Sequence, residues 1–222
     1  MWLPQRGLGA VLTPDQRGFG GAPLPDGATP DLAVAADDVA ALLDSRGLDR
    51  VVLGGLSMGG YVAMAFLRRY ADRVAGLILA DTKAGADTAE AATNRLRVAD
   101  AVTAAGSARD FVAGLTPKLV ADPDIADTLA AEYGDVPAPA VAWAQRAMAA
   151  RPDSFDVLSR VSVPALVVVG EQDQLTPASD AEAMASALPG ATLVRVPAAG
   201  HLSNLDAPEA FNDAVRSFLT RV

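Results

Sequence analysis

The segment Val51-Val52-Leu53-Gly54-Gly55-Leu56-Ser57-Met58-Gly59-Gly60 decides the fold. It opens on the apolar run Arg50 to Leu53, the pattern of a strand buried on both faces in a parallel sheet. It leads into Gly59 to Tyr70, apolar nearly all round, which predicts a buried helix. Between the two lies Gly55-x-Ser57-x-Gly59. A serine at a strand-to-helix junction sits on a strained turn, and its neighbours must be small. Gly55 and Gly59 are expected to give that clearance, and Gly60 to let the helix pack closely. The helix N-terminus then faces the serine, and its partial positive charge favours a developing oxyanion. Without its flanks the glycine-serine-glycine pattern is weak, since roughly one chain in ten to twenty of this length would carry it by chance. The competing reading is a glycine-rich helix cap with no chemistry.

Outward from this junction the chain alternates. Val74 to Ala80, Pro164 to Gly170 and Thr192 to Val196 read as strands, and Ala10 to Thr13 as a short one. A helix is predicted with Thr29 as N-cap and Pro30 in its first position, Leu32, Val39, Leu42 and Leu43 on one face, and Gly47 as its stop. Thr176-Pro177 and Asp206-Ala207-Pro208-Glu209 open two more. Strands alternating with helices predict an α/β fold, a mostly parallel sheet with helices on both faces. The stretch from Thr82 to Arg160 breaks the alternation. It is alanine-rich, helical in spacing and free of strand pattern, which predicts four or five helices forming a lid. The expected division is a core of residues 1–81 and 161–222 with a lid of residues 82–160.

Bulk properties exclude several functions. A chain of 222 residues, 51% hydrophobic and 20% charged, is globular and long enough for a sizeable core. A net charge of -9 argues against a nucleic-acid partner and against an anionic membrane surface. The absence of cysteine removes disulfides and thiolate chemistry, and with one histidine no metal cluster is visible. Val51 to Leu67 is the best membrane-span candidate, but strand-turn-helix explains it better. Residues 1–12 do not read as a secretory signal, so a cytoplasmic location is the default expectation.

His201 is the sole histidine. It follows the strand Thr192 to Val196 in the turn Ala198-Ala199-Gly200-His201. An unperturbed imidazole is the side chain suited to moving protons near neutrality. In isolation a buried, hydrogen-bonded core histidine would be the better reading. The acid candidate is Asp173, in Gly170-Glu171-Gln172-Asp173 at the carboxyl end of a strand, where α/β sites collect. Asp81 and Glu171 remain alternatives.

The order serine, aspartate, histidine resembles that of the α/β-hydrolase superfamily. The chain is similar in particular to lid-bearing esterases and lactonases of the 3-oxoadipate enol-lactonase and non-haem perhydrolase type. Further points of likeness are Asp15-Gln16-Arg17-Gly18-Phe19-Gly20 and Pro208-Glu209 beyond the histidine. The resemblance covers the chain outside the lid. It implies a catalytic triad of Ser57, Asp173 and His201, an oxyanion donor at the Met58 N–H, and no cofactor or metal. It departs in one respect. The family's His-Gly loop, which donates half of the oxyanion hole, and the strands around it have no counterpart here. The sheet is therefore expected to lack a strand between the one ending at Thr13 and the one ending at Leu53; Met1 is expected to be an internal methionine, with a genuinely truncated form as the alternative.

The leading expectation is a serine hydrolase of a small carboxylic ester or lactone. A non-catalytic ligand-binding relative or inactive form is the alternative, and perhydrolase or haloperoxidase-like activity would use the same residues. A nicotinamide oxidoreductase is disfavoured, because the glycines at 54, 55, 59 and 60 lack the dinucleotide spacing. Lys83, Arg95, Arg97 and Arg109 could favour a carboxylate-bearing ester, although a solvated helix face accounts for them more simply.

Overall fold

The computed structural model describes all 222 residues. Its core is a parallel sheet of four strands, β1 (Val51–Leu56), β2 (Val74–Ala80), β3 (Ala165–Gly170) and β4 (Thr192–Val196), in the order β1-β2-β3-β4. Helices α1 (Leu32–Ser45), α2 (Met58–Tyr70), α8 (Ala178–Ala187) and α10 (Pro208–Leu219) connect or follow the strands. Five helices, α3 (Ala89–Ala105), α4 (Arg109–Leu115), α5 (Pro123–Tyr133), α6 (Ala138–Ala150) and α7 (Phe155–Leu158), lie between β2 and β3. A short α9 (Ser203–Asp206) precedes α10.

The period-two alternation of the strands divides the core. Leu77, Leu79, Ala165, Val167 and Val169 face a layer built by α1, α2 and α8. Ala80, Leu166, Val168 and Val196 face the opposite layer, with Phe211, Val215 and Phe218 of α10. Both faces of β3 are covered, and all six of its residues are buried, which is why its sequence is apolar without alternation. Helix α6 enters the first layer through Trp143, Ala144, Ala147 and Met148. The Trp143 indole N–H donates to the Thr29 carbonyl at 3.1 Å.

At several boundaries the structure departs from the sequence pattern. Residues 10–13 form no strand. Ahead of them Leu3–Leu8 is a 3-10 helix, seated by the buried Gln5 on Asn204 and Asn212. A four-residue apolar run carries too little periodicity to separate a strand from an extended loop. The strand β1 is therefore one edge of the sheet, and the gap expected between two strands is an open edge beside β1 instead. The first helix is capped by Asp31, whose carboxylate accepts the Ala33 N–H at 2.8 Å, not by Thr29 with Pro30 inside. At its other end Gly47, with φ 63, closes a Schellman turn in which the Leu48 N–H reaches the Leu43 carbonyl. The first strand runs three residues further than its apolar run, and α2 starts at Met58.

Candidate active site

Ser57 is the residue between β1 and α2, with φ 54 and ψ −119. This left-handed region is sparsely populated by residues with a Cβ and persists only when the surroundings impose it. Here they do. The Ser57 N–H donates to the Ala80 carbonyl, and the Thr82 hydroxyl donates to the Ser57 carbonyl at 2.8 Å. A Cβ at Gly55 would stand 2.2 Å from the Gly59 carbonyl oxygen, and one at Gly60 would stand 2.6 Å from the Thr82 side chain. At Gly59 an added Cβ meets nothing within 4 Å, so the clearance expected of that glycine is required at 55 and 60 instead.

Asp173 and His201 come from the loops that follow β3 and β4. Their side chains are nearly inaccessible, at 0% and 3% exposure. His201 bridges the other two residues: its Nε2 lies 2.7 Å from the Ser57 Oγ and its Nδ1 lies 2.9 Å from Asp173 Oδ2. Asp173 is held by a turn of its own making, its Oδ1 accepting the Leu175 and Thr176 N–H groups and its Oδ2 the Thr176 hydroxyl at 2.6 Å. Burial alone would raise the Asp173 carboxyl. The hydrogen bond and charge of His201, with the Thr176 donors, outweigh it and hold the group below the usual carboxylate value. The site therefore keeps an anion next to Nδ1, which fixes the Nδ1–H tautomer and leaves Nε2 to accept from the serine. The Met58 N–H is the first amide of α2, one of those a helix leaves without an internal acceptor.

The two alternative acids are placed elsewhere. Glu171 is exposed. Asp81 is fully buried at φ 44, and its Oδ1 accepts the Gly170 N–H at 2.8 Å while its Oδ2 accepts the Ser203 hydroxyl. Burial pushes Asp81 up to about 7, against the lowering effect of these two donors and of the charge on His201. Asp81 thus joins the ends of β2, β3 and α9 around the histidine without bonding to it. The approach is close throughout: a Cβ at Gly170 would stand 2.1 Å from the Gly200 carbonyl oxygen.

A family model described as the alpha/beta hydrolase family matches residues 1–214. The chain belongs to the α/β hydrolase family. It is 30% identical over 217 residues to 3-oxoadipate enol-lactonase 2 of Acinetobacter baylyi, covering 95% of this chain and 79% of that protein. Among solved structures it resembles a thermophilic esterase from Thermogutta terrifontis, solved with malate bound, at 42% identity and a TM-score of 0.86. That match spans 93% of this chain and 78% of the esterase. The enol-lactonase of Burkholderia xenovorans is similar at 27% identity and a TM-score of 0.74, over 93% of this chain and 79% of the enol-lactonase. Hydrolase activity is the class that the family and these relatives support.

In this hydrolase the four cations singled out from sequence all have partners. Lys83 and Arg95 reach the buried Asp87 carboxylate at 3.3 and 2.6 Å, where Arg151 joins them at 2.9 Å. Arg97 donates to Asn94, and Arg109 pairs with Asp135. Arg151, stacked 4.0 Å over the Tyr61 ring, also donates to the Met148 and Gly85 carbonyls, so the cluster ties the start of the inserted helices to the end of α6. For Lys83 and Arg95 the solvated face expected from sequence is corrected to a half-buried ion cluster. No group of three or more histidine, aspartate or glutamate side chains could hold a metal ion, and no helix is long and apolar enough to cross a membrane.

Thr82, Thr176 and Ser203 were not singled out from sequence. Small hydroxyl residues one to three positions from a strand end or a site residue are the available signal, and it is a weak one.

Proposed function

We propose that the protein is a serine hydrolase of small carboxylic esters or lactones, acting through Ser57, His201 and Asp173. The observation that carries this reading is the single imidazole with one nitrogen 2.7 Å from a strained serine hydroxyl and the other 2.9 Å from a buried carboxylate. Ser57 Oγ attacks the substrate carbonyl carbon as His201 Nε2 takes its proton. Asp173 stabilises the imidazolium through Nδ1–H and does not itself accept the proton. The Met58 N–H donates to the oxyanion of the tetrahedral intermediate. The intermediate collapses, the carbon–oxygen bond to the alcohol breaks, and His201 returns the proton to the departing oxygen. Water then attacks the acyl-serine by the same route in reverse. In a lactone the released hydroxyl stays on the acyl group.

The site needs no metal or cofactor for these steps. Residues 82–160 serve as the lid over it, and a small-molecule ester is the partner in a cytoplasmic setting. Turnover of p-nitrophenyl acetate, with a burst of p-nitrophenol equal to the enzyme concentration, is the expected result if acylation outpaces deacylation. Tight binding of esters and lactones without turnover would favour a non-catalytic receptor instead.

A further inference from the structure

Both chain neighbours of His201 are tied to the inserted helical segment. On one side the Gly200 N–H donates to Asp206 Oδ2 at 2.6 Å, and the same oxygen accepts the Ala121 N–H at 2.9 Å. The second oxygen, Oδ1, accepts the Asp122 N–H at 3.4 Å. On the other side the Leu202 N–H donates directly to the Leu119 carbonyl at 2.6 Å. Residues 119–122 join the inserted helices, immediately ahead of α5. Val120 and Leu202 are buried in one apolar cluster with Ala126 and Leu129 of α5. The fit is close, for a Cβ at Gly200 would stand 3.1 Å from both the Ala121 nitrogen and the Val120 carbonyl carbon.

From this joint we infer that Asp206 is a positioning residue, which couples the inserted segment to the imidazole of His201. It rests on the reading of His201 as the general base, and it goes beyond that reading by assigning the insert a part in aligning the base. The physical basis is direct. A loop residue keeps one orientation only if its flanking backbone is fixed, and three amides converging on one carboxylate are charge-assisted hydrogen bonds, roughly twice as strong as neutral ones. Asp206 lies five residues beyond His201, and its carboxylate hydrogen-bonds to the Gly200, Ala121 and Asp122 amides, not to His201 or Ser57. Its effect therefore passes through the backbone on either side of the histidine: directly at Gly200, and through the 119–122 segment at Leu202. Movement of the 119–122 segment would then move the base, so that the geometry needed for proton transfer exists only while the insert is seated.

The sole histidine makes the test clean, because every imidazole resonance belongs to His201. Asp206→Ala should lower kcat by about tenfold to a hundredfold, the scale expected when a reacting group is displaced by about 1 Å, with KM within about twofold. It should also weaken or broaden the low-field Nδ1–H proton signal of His201, and speed amide exchange at both Gly200 and Ala121. Asp206→Asn keeps one carbonyl oxygen for the Gly200 and Ala121 amides and should retain kcat within about threefold. An unchanged imidazole signal and unchanged Ala121 exchange in Asp206→Ala would overturn the proposal. So would an Asp206→Asn variant as impaired as Asp206→Ala. The spectroscopic arm stands apart from catalysis: if the parent protein hydrolyses no ester, the hydrolase reading fails while the imidazole signal still decides the coupling.

Discussion

Ser57, Asp81 and Ala198 are the non-glycine residues with positive φ, and each follows a strand. Among the inserted helices the one positive φ belongs to Gly106. The two regions hold their residues by different means. At the carboxyl end of the sheet a Cβ added at Gly55, Gly60 or Gly170 would stand 2.1 to 2.6 Å from its neighbours, which are backbone at Gly55 and Gly170 and the Thr82 side chain at Gly60. In the insert, Ala99, Val102, Ala108, Val112, Ala138, Val141 and Ala142 form a small apolar cluster of their own, and exposed ion pairs such as Arg146–Asp100 lie outside it. Position is over-determined where hydrogen bonds of 2.6 to 2.9 Å have to meet, and loosely determined where helices have only to cover apolar area. Substitutions should therefore act very differently in the two regions.

The largest effect is expected at the reacting residues. Ser57→Ala or His201→Ala should reduce kcat by about 10⁶, as when members of a triad that act as a unit are removed. Ser57→Ala should leave the melting temperature nearly unchanged, whereas His201→Ala should also lower it, because it strips a partner from the buried Asp173 carboxylate. Asp173→Asn keeps the shape but loses the anion that fixes the Nδ1–H tautomer, and should cost about 10⁴ in kcat. Comparing initial rates on p-nitrophenyl acetate with thermal melts separates these chemical losses from unfolding. An Asp173→Asn variant with parental kcat would break the assignment of the acid.

Next comes Gly170→Ala, which adds one methyl where the Gly200 carbonyl stands 2.1 Å away. Overpacking of this kind typically costs about 1–3 kcal/mol. For a chain of this size that lowers the melting temperature by roughly 2–12 °C. The variant should also lose activity, since the displaced carbonyl adjoins His201. By contrast Gly106→Ala in the insert, with φ 63 and nothing near its Cβ, strains only the backbone. It should destabilise by about 1 kcal/mol and leave kcat unchanged. Equal losses of activity in the two variants would remove the distinction between the regions.

These contrasts also explain what could be read from the sequence. The strand β3 is legible because a strand covered on both faces must be apolar without interruption, β1, β2 and β4 because short apolar-biased runs stand between helical patterns, and the inserted helices because their spacing carries no such run. Ser57, Asp173 and His201 could be picked out as candidates, each beside a strand end with a glycine nearby. Position relative to the strand ends favours Asp173 over Asp81 and Glu171 as the acid; in the structure the imidazole lies against Asp173, while Asp81 meets the Gly170 amide and the Ser203 hydroxyl. Residues 10–13 were misread because four apolar-biased residues do not specify pairing. Asp206 was read only as part of a helix start, since its partners are backbone amides, which leave no trace in a sequence. Thr176 reads from sequence as a helix start because it precedes Pro177, whereas its hydroxyl lies between the Asp173 and His201 side chains, which only the fold brings together.

Smaller and pH-dependent is the effect of Asp81, whose carboxyl burial raises to about 7. A raised value means that the folded protein holds this proton more tightly than the unfolded chain, for which about 3.9 is ordinary. Its contribution to stability is thus complete below about pH 4 and is lost as pH rises towards 7. Asp81→Asn removes the ionisation. The melting temperature of the variant relative to the parent should climb by several degrees between pH 4 and pH 8, which calorimetry at a series of pH values would measure. A difference that stays flat or falls with pH would contradict the buried carboxyl. The smallest effect belongs to the exposed Arg109–Asp135 pair, where Arg109→Ala should change stability by less than about 1 kcal/mol.

The strained Ser57 hydroxyl should behave as a nucleophile activated by His201. Reaction with a fluorophosphonate followed by intact-mass and peptide analysis tests it most directly. One adduct per chain is expected, on Ser57, formed rapidly by the parent protein and slowed by orders of magnitude in His201→Ala. No adduct under conditions where the protein is folded, an adduct on another serine, or labelling of Ser57 at the same rate without His201 would contradict it.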